Sequence, residues 1–174
     1  MASVMRFAES QPKHRFNLQA MIRKLLREDR EELKRILIDT KHFNDEEIRI
    51  ALELIDECLN DTNQKDYNVF VYDDGRVGGY ICFGKRPLTE GTYDLYWIAV
   101  DPEIHGKGIG SKLVRFMEDE LRKMNGHLVL IETSGQESYK GERTFYERNG
   151  YMVQTTIKDF YRQEDDLVVF RKYL

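Results

Sequence analysis

Apolar positions change period several times along the chain, and each change marks an element. Met21-Ile22-Arg23-Lys24-Leu25 reads as a short strand, and Leu33, Ile36 and Leu37, three and four apart, predict a first helix after Arg27-Glu28-Asp29-Arg30. Asn44 is a suitable N-cap, with Asp45, Glu46 and Glu47 placed where carboxylates favour the helix dipole. The second helix then runs to about Asn60 on a stripe of Ile48, Ala51, Leu52, Ile55, Cys58 and Leu59. Val69 to Tyr72 and Val77 to Phe83 flank Asp73-Asp74-Gly75, which predicts a hairpin because Asp-Gly takes the positive φ of a tight turn. Tyr93 to Val100 is almost continuously β-favouring. A third helix follows on Ile109, Leu113, Phe116, Met117, Leu121 and Met124 and ends at Asn125-Gly126. Leu128 to Ile131 reads as a buried strand, Tyr139 to Arg148 as a helix closed by Asn149-Gly150, and about 151–158 and 167–173 as two last strands. The order β-α-α-β-β-β-α-β-α-β-β predicts a mixed sheet covered by helices.

Residues 1–19 are polar and aperiodic and read as an N-terminal arm, leaving residues 20–174 as one domain. The length of 174 residues with 41% hydrophobic content suits a single core. No apolar run reaches membrane-spanning length, and Glu9, Lys13, His14 and Arg15 interrupt any signal-peptide pattern, so the expectation is a cytoplasmic protein that does not engage a membrane. Cys58 and Cys82 form no CxxC pair and have no histidine at ligand spacing, which predicts reduced core residues. His42 and His127 stand alone, and no metal site is expected. A formal net charge of −4 argues against a general nucleic-acid binder and is compatible with cationic substrates.

The strongest chemical signal is Val100-Asp101-Pro102-Glu103-Ile104-His105-Gly106-Lys107-Gly108-Ile109-Gly110-Ser111-Lys112-Leu113, a glycine-rich turn between a strand and a helix. Glycines at alternate positions expose consecutive N–H groups at the positive end of a helix, which is a phosphate cradle. A Walker loop would need Gly-Lys-Ser/Thr, whereas Ser111 precedes Lys112; a dinucleotide fingerprint would need its third glycine three places after the second, whereas Gly110 follows Gly108 by two. His105, Gly108 and Gly110 instead fit Gln/Arg-x-x-Gly-x-Gly/Ala with histidine in first place, which resembles the pyrophosphate loop of the GNAT N-acetyltransferase superfamily.

The resemblance covers roughly residues 20–174. Ile98-Ala99-Val100-Asp101-Pro102 looks like the family's splayed fourth strand, and Arg143-Thr144-Phe145-Tyr146-Glu147-Arg148-Asn149-Gly150-Tyr151, about 35 residues beyond the glycine loop, resembles its closing helix. The motif style is most similar to the ribosomal-protein N-terminal acetyltransferases. The fold implied is α/β of the mixed α+β kind, with a mostly antiparallel sheet of six to seven strands, about four helices and splayed strands 4 and 5. Acetyl-CoA is the implied cosubstrate, its pantetheine arm on the backbone of Ile98, Ala99 and Val100 and its pyrophosphate on His105, Gly106, Lys107, Gly108, Ile109, Gly110 and Ser111. The partner is then an amine acceptor, a small molecule or a peptide or protein amine, and the resemblance leaves room for a homodimer.

Acetyl transfer needs a neutral amine, a stabilised oxyanion and a proton for the departing thiolate. By resemblance Tyr146 is the acid, an N–H near Val100 the oxyanion donor, and Glu132 or Asp94 the base. Glu132 is preferred because its context, followed by a helix bearing Tyr146, matches that subgroup and its longer side chain reaches further. A water chain is the alternative to either. The competing reading is a non-catalytic CoA-binding or sensing module; a nucleotide-phosphate binder on a parallel sheet conflicts with the glycine spacing and with the hairpin at Asp74-Gly75. The acceptor is expected between Asp39–Asp45 and Phe160–Asp166, where carboxylates outnumber cations and favour a cationic primary amine.

Overall fold

Seven strands form one sheet in the computed structural model, which describes residues 21–61 and 63–174. They are β1 (Ile22–Lys24), β2 (Asn68–Asp73), β3 (Val77–Lys85), β4 (Thr92–Val100), β5 (Leu128–Ser134), β6 (Met152–Arg162) and β7 (Asp165–Tyr173), in spatial order β1-β2-β3-β4-β5-β7-β6. Every neighbouring pair is antiparallel except β4 with β5, which run parallel because α3 (Ile109–Lys123) crosses over between them. The expected arm, residues 1–19, lies outside the described residues.

Alternation along β3 sorts two cores. Tyr80 and Cys82 face α1 (Arg30–Asp39) and α2 (Asp45–Asn60) with Leu33, Ile36, Leu37 and Ile55. Ile81 and Phe83 face the side of α3 and α4 (Lys140–Arg148), with Leu113, Met117, Leu121 and Phe170. Each such fully buried side chain contributes roughly 1.5–3 kcal/mol relative to leaving it exposed, so the sheet is held firmly from both faces. The caps follow local chemistry. Asn44 Oδ1 accepts from the Glu46 and Glu47 N–H groups while Glu47 Oε2 accepts from the Asn44 N–H, a reciprocal capping box. At the end of α4, the Tyr151 N–H donates to the Tyr146 carbonyl and the Gly150 N–H to that of Glu147, with Gly150 at φ +85°.

Three boundaries differ from the sequence expectation. β5 runs on to Ser134, so Glu132 lies within the strand and not at its end, because β7 pairs with it through Ser134↔Leu167. Helix one, expected after Arg30, begins at Arg30 and is preceded by a separate 3-10 turn, Arg27–Asp29. The loop expected at Phe160–Asp166 contracts to a tip at Gln163-Glu164, since β6 and β7 close as far as Arg162↔Asp165 with Glu164 at φ +64°. Charged residues hid those strand ends: β6 is exposed along its length and carries no inward apolar set to set the period.

Both cysteines are free, Cys82 buried and Cys58 half-buried, and burial pushes the Cys58 thiol up to about 11. Among the described residues, no helix is long and apolar enough to cross a membrane, and no group of His, Cys, Asp or Glu is arranged to hold a metal.

Candidate active site

The site begins where β4 leaves β5. Their parallel pairing extends only from Thr92↔Leu128 to Leu95↔Ile131, although β4 continues to Val100 and β5 to Ser134. On its other side β4 stays paired with β3, but Trp97 lies opposite Cys82 and Leu95 opposite the next residue, Phe83. Tyr96 is therefore an extra residue, a β-bulge that turns the strand just where it loses β5. The backbone of Tyr96 to Val100 thus presents its free edge to a wedge between the two strands.

At the far end of that edge the chain is fixed before it turns. Asp101 is wholly buried; its N–H donates to the Gly78 carbonyl at 2.9 Å, and its carboxylate accepts from Arg35 (2.6 Å), Arg76 (3.0 Å) and the Glu103 N–H (2.9 Å). Burial alone would raise the Asp101 pKa, but the Glu103 N–H and the two guanidinium groups outweigh it and hold the carboxyl below its ordinary value. After a 3-10 turn at Pro102–Ile104, Gly106 (φ +78°) and Gly108 (φ +73°) adopt the left-handed conformation that places the following N–H groups on one side of the entry to α3. Among the described residues, the first N–H of this turn with a backbone partner is that of Lys112, to the Gly108 carbonyl at 3.0 Å. A Cβ on Gly106 or Gly108 would meet no atom within 4 Å, and the first turn of α3 holds no acidic residue. Unpaired donors, open space and a helix dipole without a competing carboxylate fit a phosphate group. Gly110 has a different reason to be glycine: its Cβ would come within 3.1 Å of the Phe145 ring, so it lets α3 and α4 approach.

The wedge opens into a cleft of about 750 Å³. One wall is His42, Phe43, Asn44, Glu46, Glu47 and Ile50 at the start of α2; the floor is Tyr96, Trp97 and Glu132 to Ser134 at the strand ends. Opposite stand Tyr139, Glu142 and Tyr146, with Tyr161, Arg162 and Asp165 from the β6–β7 hairpin at the rim. Arg143 ties α4 to the end of β5 by donating to the carbonyls of Ser134 and Gln136, both at 2.7 Å. Across the opening, the Tyr139 hydroxyl donates to Glu47 Oε1 at 2.9 Å, so the capping glutamate of α2 also joins the two walls.

The sequence candidates divide in this frame. Tyr146 lines the cleft at 7% exposure, packed against Phe145, Tyr151 and Phe170, and its hydroxyl makes no hydrogen bond with the described residues. Burial, with the charge of Glu142 nearby, raises its pKa and keeps the phenol protonated. Glu132 lines the cleft; Asp94 is buried beside it and does not. Both are held by Arg86, whose Nε donates to the Asp94 carboxylate at 3.0 Å and whose Nη2 donates to Glu132 Oε1 at 2.9 Å. Ile98, Ala99 and Val100 form the far part of the free β4 edge, and His105 to Ser111 form the turn.

Sequence reasoning did not single out Arg86, Tyr139 or Glu142 and read Glu47 only as a helix-start carboxylate. Glu142 was within reach, since it precedes Tyr146 by four residues and so shares its helix face. Burial and the neighbouring Glu47 raise its carboxyl to about 7, against the opposing effect of the Thr133 hydroxyl and Arg143.

Known proteins are similar to this chain. The Acetyltransferase (GNAT) domain family matches residues 65–153. The S-(2-succino)cysteine N-acetyltransferase of Bacillus subtilis (strain 168) is 30% identical over 110 residues, spanning 60% of this chain and 67% of that protein. A solved structure from Desulfovibrio desulfuricans, assigned to the GNAT acetyltransferases, superposes with a TM-score of 0.84 at 38% identity, over 87% of this chain and 97% of that one. The ribosomal-protein-S18-alanine N-acetyltransferase of Escherichia coli superposes at 0.65 with 18% identity, over 87% and 92%, and shares the fold.

Proposed function

The chain belongs to the GNAT acetyltransferase family, and from that premise we propose that it moves an acetyl group from acetyl-CoA to a cationic primary amine by direct attack within a ternary complex. The observation that carries this reading is the continuity of the site. Among the described residues, a turn of unpaired N–H groups leads along the free edge of β4 into a cleft where the Tyr146 hydroxyl stands without a partner. The N–H groups of Gly106 to Ser111 hold the pyrophosphate of acetyl-CoA, and the edge at Ile98 to Val100 takes its pantetheine arm. Tyr146 protonates the departing thiolate, and an N–H of the free β4 edge near Val100 receives the developing oxyanion.

The acceptor follows from the lining. Glu46, Glu47, Glu132, Glu142 and Asp165 face the cleft against Arg162 and His42, and Arg162 lies 3.4 Å from Asp165. Phe43 and Trp97, with ring centroids 5.8 Å apart, add an aromatic surface. Such a chamber draws in an ammonium group and gives its carbon chain an apolar contact. Of the two carboxylates expected as base, Glu132 is the one that lines the cleft. The B. subtilis relative is named for an acceptor bearing several carboxylates, a charge opposite to the one this lining favours. Rates of thiol release with a diamine and with S-(2-succino)cysteine, at low and high ionic strength, test the reading. Preference for the diamine, weakened by salt, is expected; preference for S-(2-succino)cysteine would refute the acceptor assignment. Acetyl-CoA binding without transfer to any amine would favour the CoA-sensing alternative.

A further inference from the structure

Two carboxylates in the cleft look alike in sequence and differ in what holds them. Both oxygens of Glu47 are engaged, Oε2 by the Asn44 N–H at 2.8 Å and Oε1 by the Tyr139 hydroxyl at 2.9 Å. Those two donors fix the carboxylate in place. Glu142 faces the same chamber one turn before Tyr146, and among the described residues the Thr133 hydroxyl and the charge of Arg143 are what support its anion. Glu132 Oε1 is occupied by the Arg86 guanidinium at 2.9 Å, and Asp94, bound to the same group, does not line the cleft. From this arrangement we propose that Glu142 is the catalytic base: it seats the acceptor ammonium beside Glu47 and takes its proton.

The inference rests on the acetyltransferase reading and assigns within it a role that neither sequence candidate fills. The spacing of the helix supports it. Side chains four residues apart lie about 5–6 Å apart at Cβ, so base and acid stand on either side of a single reacting centre. The Glu142 carboxylate takes one proton from the ammonium, and the neutral nitrogen bonds to the thioester carbonyl carbon. As the carbon–sulfur bond breaks, Tyr146 gives its proton to sulfur and is restored by the second proton that nitrogen loses. The proton on Glu142 leaves to solvent.

The groups facing Glu142 are Glu47 from α2, Tyr139 before α4, Thr133 from β5, and Arg143 and Tyr146 from its own helix. Burial disfavours its anion most, Glu47 adds repulsion, and the Thr133 hydroxyl and Arg143 oppose both, so the carboxyl reaches about 7. The rate should therefore rise with pH through neutrality as the base ionises.

Glu142→Gln and Glu132→Gln, compared across pH, test the proposal, with acetyl-CoA affinity by calorimetry as the control for folding. Glu142→Gln should lower kcat about 10²-fold or more, erase the limb near neutrality and leave acetyl-CoA affinity within a few-fold; Glu132→Gln should keep the limb. Independently of turnover, carbon-13 NMR of glutamate-labelled protein without ligand should show one carboxyl titrating near neutrality that vanishes in Glu142→Gln and moves to lower pH in Glu47→Gln. A limb lost in Glu132→Gln and kept in Glu142→Gln, or no carboxyl titrating near neutrality, would overturn the proposal. Wild-type protein that acetylates no amine would instead refute the functional reading on which it rests.

Discussion

Placing a carboxylate at the head of α3 separates the phosphate cradle from a merely structural glycine turn. Gly108 has φ +73°, and a Cβ built there meets no atom within 4 Å. Gly108→Glu therefore introduces no clash, only the cost of a left-handed backbone for a non-glycine residue, about 1–2 kcal/mol. The same strain is present with and without ligand, so it lowers the melting temperature and leaves affinity untouched. The charge acts on binding alone. A carboxylate about 4 Å from a phosphate charge, at an effective dielectric of about 20, repels it by roughly 4 kcal/mol, which is about 10³-fold in affinity. Screening reduces this, so a loss of about 10²–10³-fold is expected at moderate salt. Gly108→Ala carries the backbone strain without the charge and should change affinity less than tenfold. Calorimetric titration of acetyl-CoA into each variant, with melting curves alongside, reads both effects. A folded Gly108→Glu protein that binds acetyl-CoA as tightly as wild type would refute the cradle.

Two further substitutions probe the acid and the anchor. Tyr146→Phe keeps the contacts with Phe145, Tyr151 and Phe170, so acetyl-CoA affinity should hold while kcat falls about 10²-fold; full kcat would return Tyr146 to a packing role. Asp101→Asn removes a buried charge shared by Arg35 and Arg76, and since both guanidinium groups are partly solvated the cost should be about 2–3 kcal/mol at neutral pH. The folded pKa of Asp101 is depressed, so its contribution is complete above the unfolded value near ~3.9 and is lost as pH falls through the folded one. Melting curves should therefore differ most at neutral pH and converge in acid; a difference independent of pH would show that the charge is not what stabilises.

The elements of the fold were legible because each is specified locally. The α2 boundaries follow from Asn44 and a helical stripe, and the observed helix begins at Asp45 and ends at Asn60 as that pattern predicts. The hairpin at Asp74-Gly75 and the helix ends at Asn125 and Gly150 rest on residues that take positive φ at low cost, and the backbone adopts it at Gly75, Asn125 and Gly150. Where the period was masked, the reading stopped early: β6 is exposed throughout, and its charged tip looked like a loop.

The cleft was legible only in part, and the reason is sequence distance. Gly106 to Ser111 lie in one run, so their chemistry can be read in one glance. Arg86 reaches Glu132 across 46 residues, and Glu47 meets Tyr139 across 92. No spacing rule announces those pairs; the sheet order makes them, by setting the end of β3 beside β4 and the start of α2 over the end of β5. Each pairing changes the chemistry of a residue whose type alone is ambiguous. Arg86 ties down Glu132, the Asn44 N–H and Tyr139 fix Glu47, and burial together with Glu47 makes Glu142 a stronger proton acceptor. Which carboxylate in such a site takes a proton is therefore a property of the fold, and it can change with one distant partner while every catalytic residue stays the same.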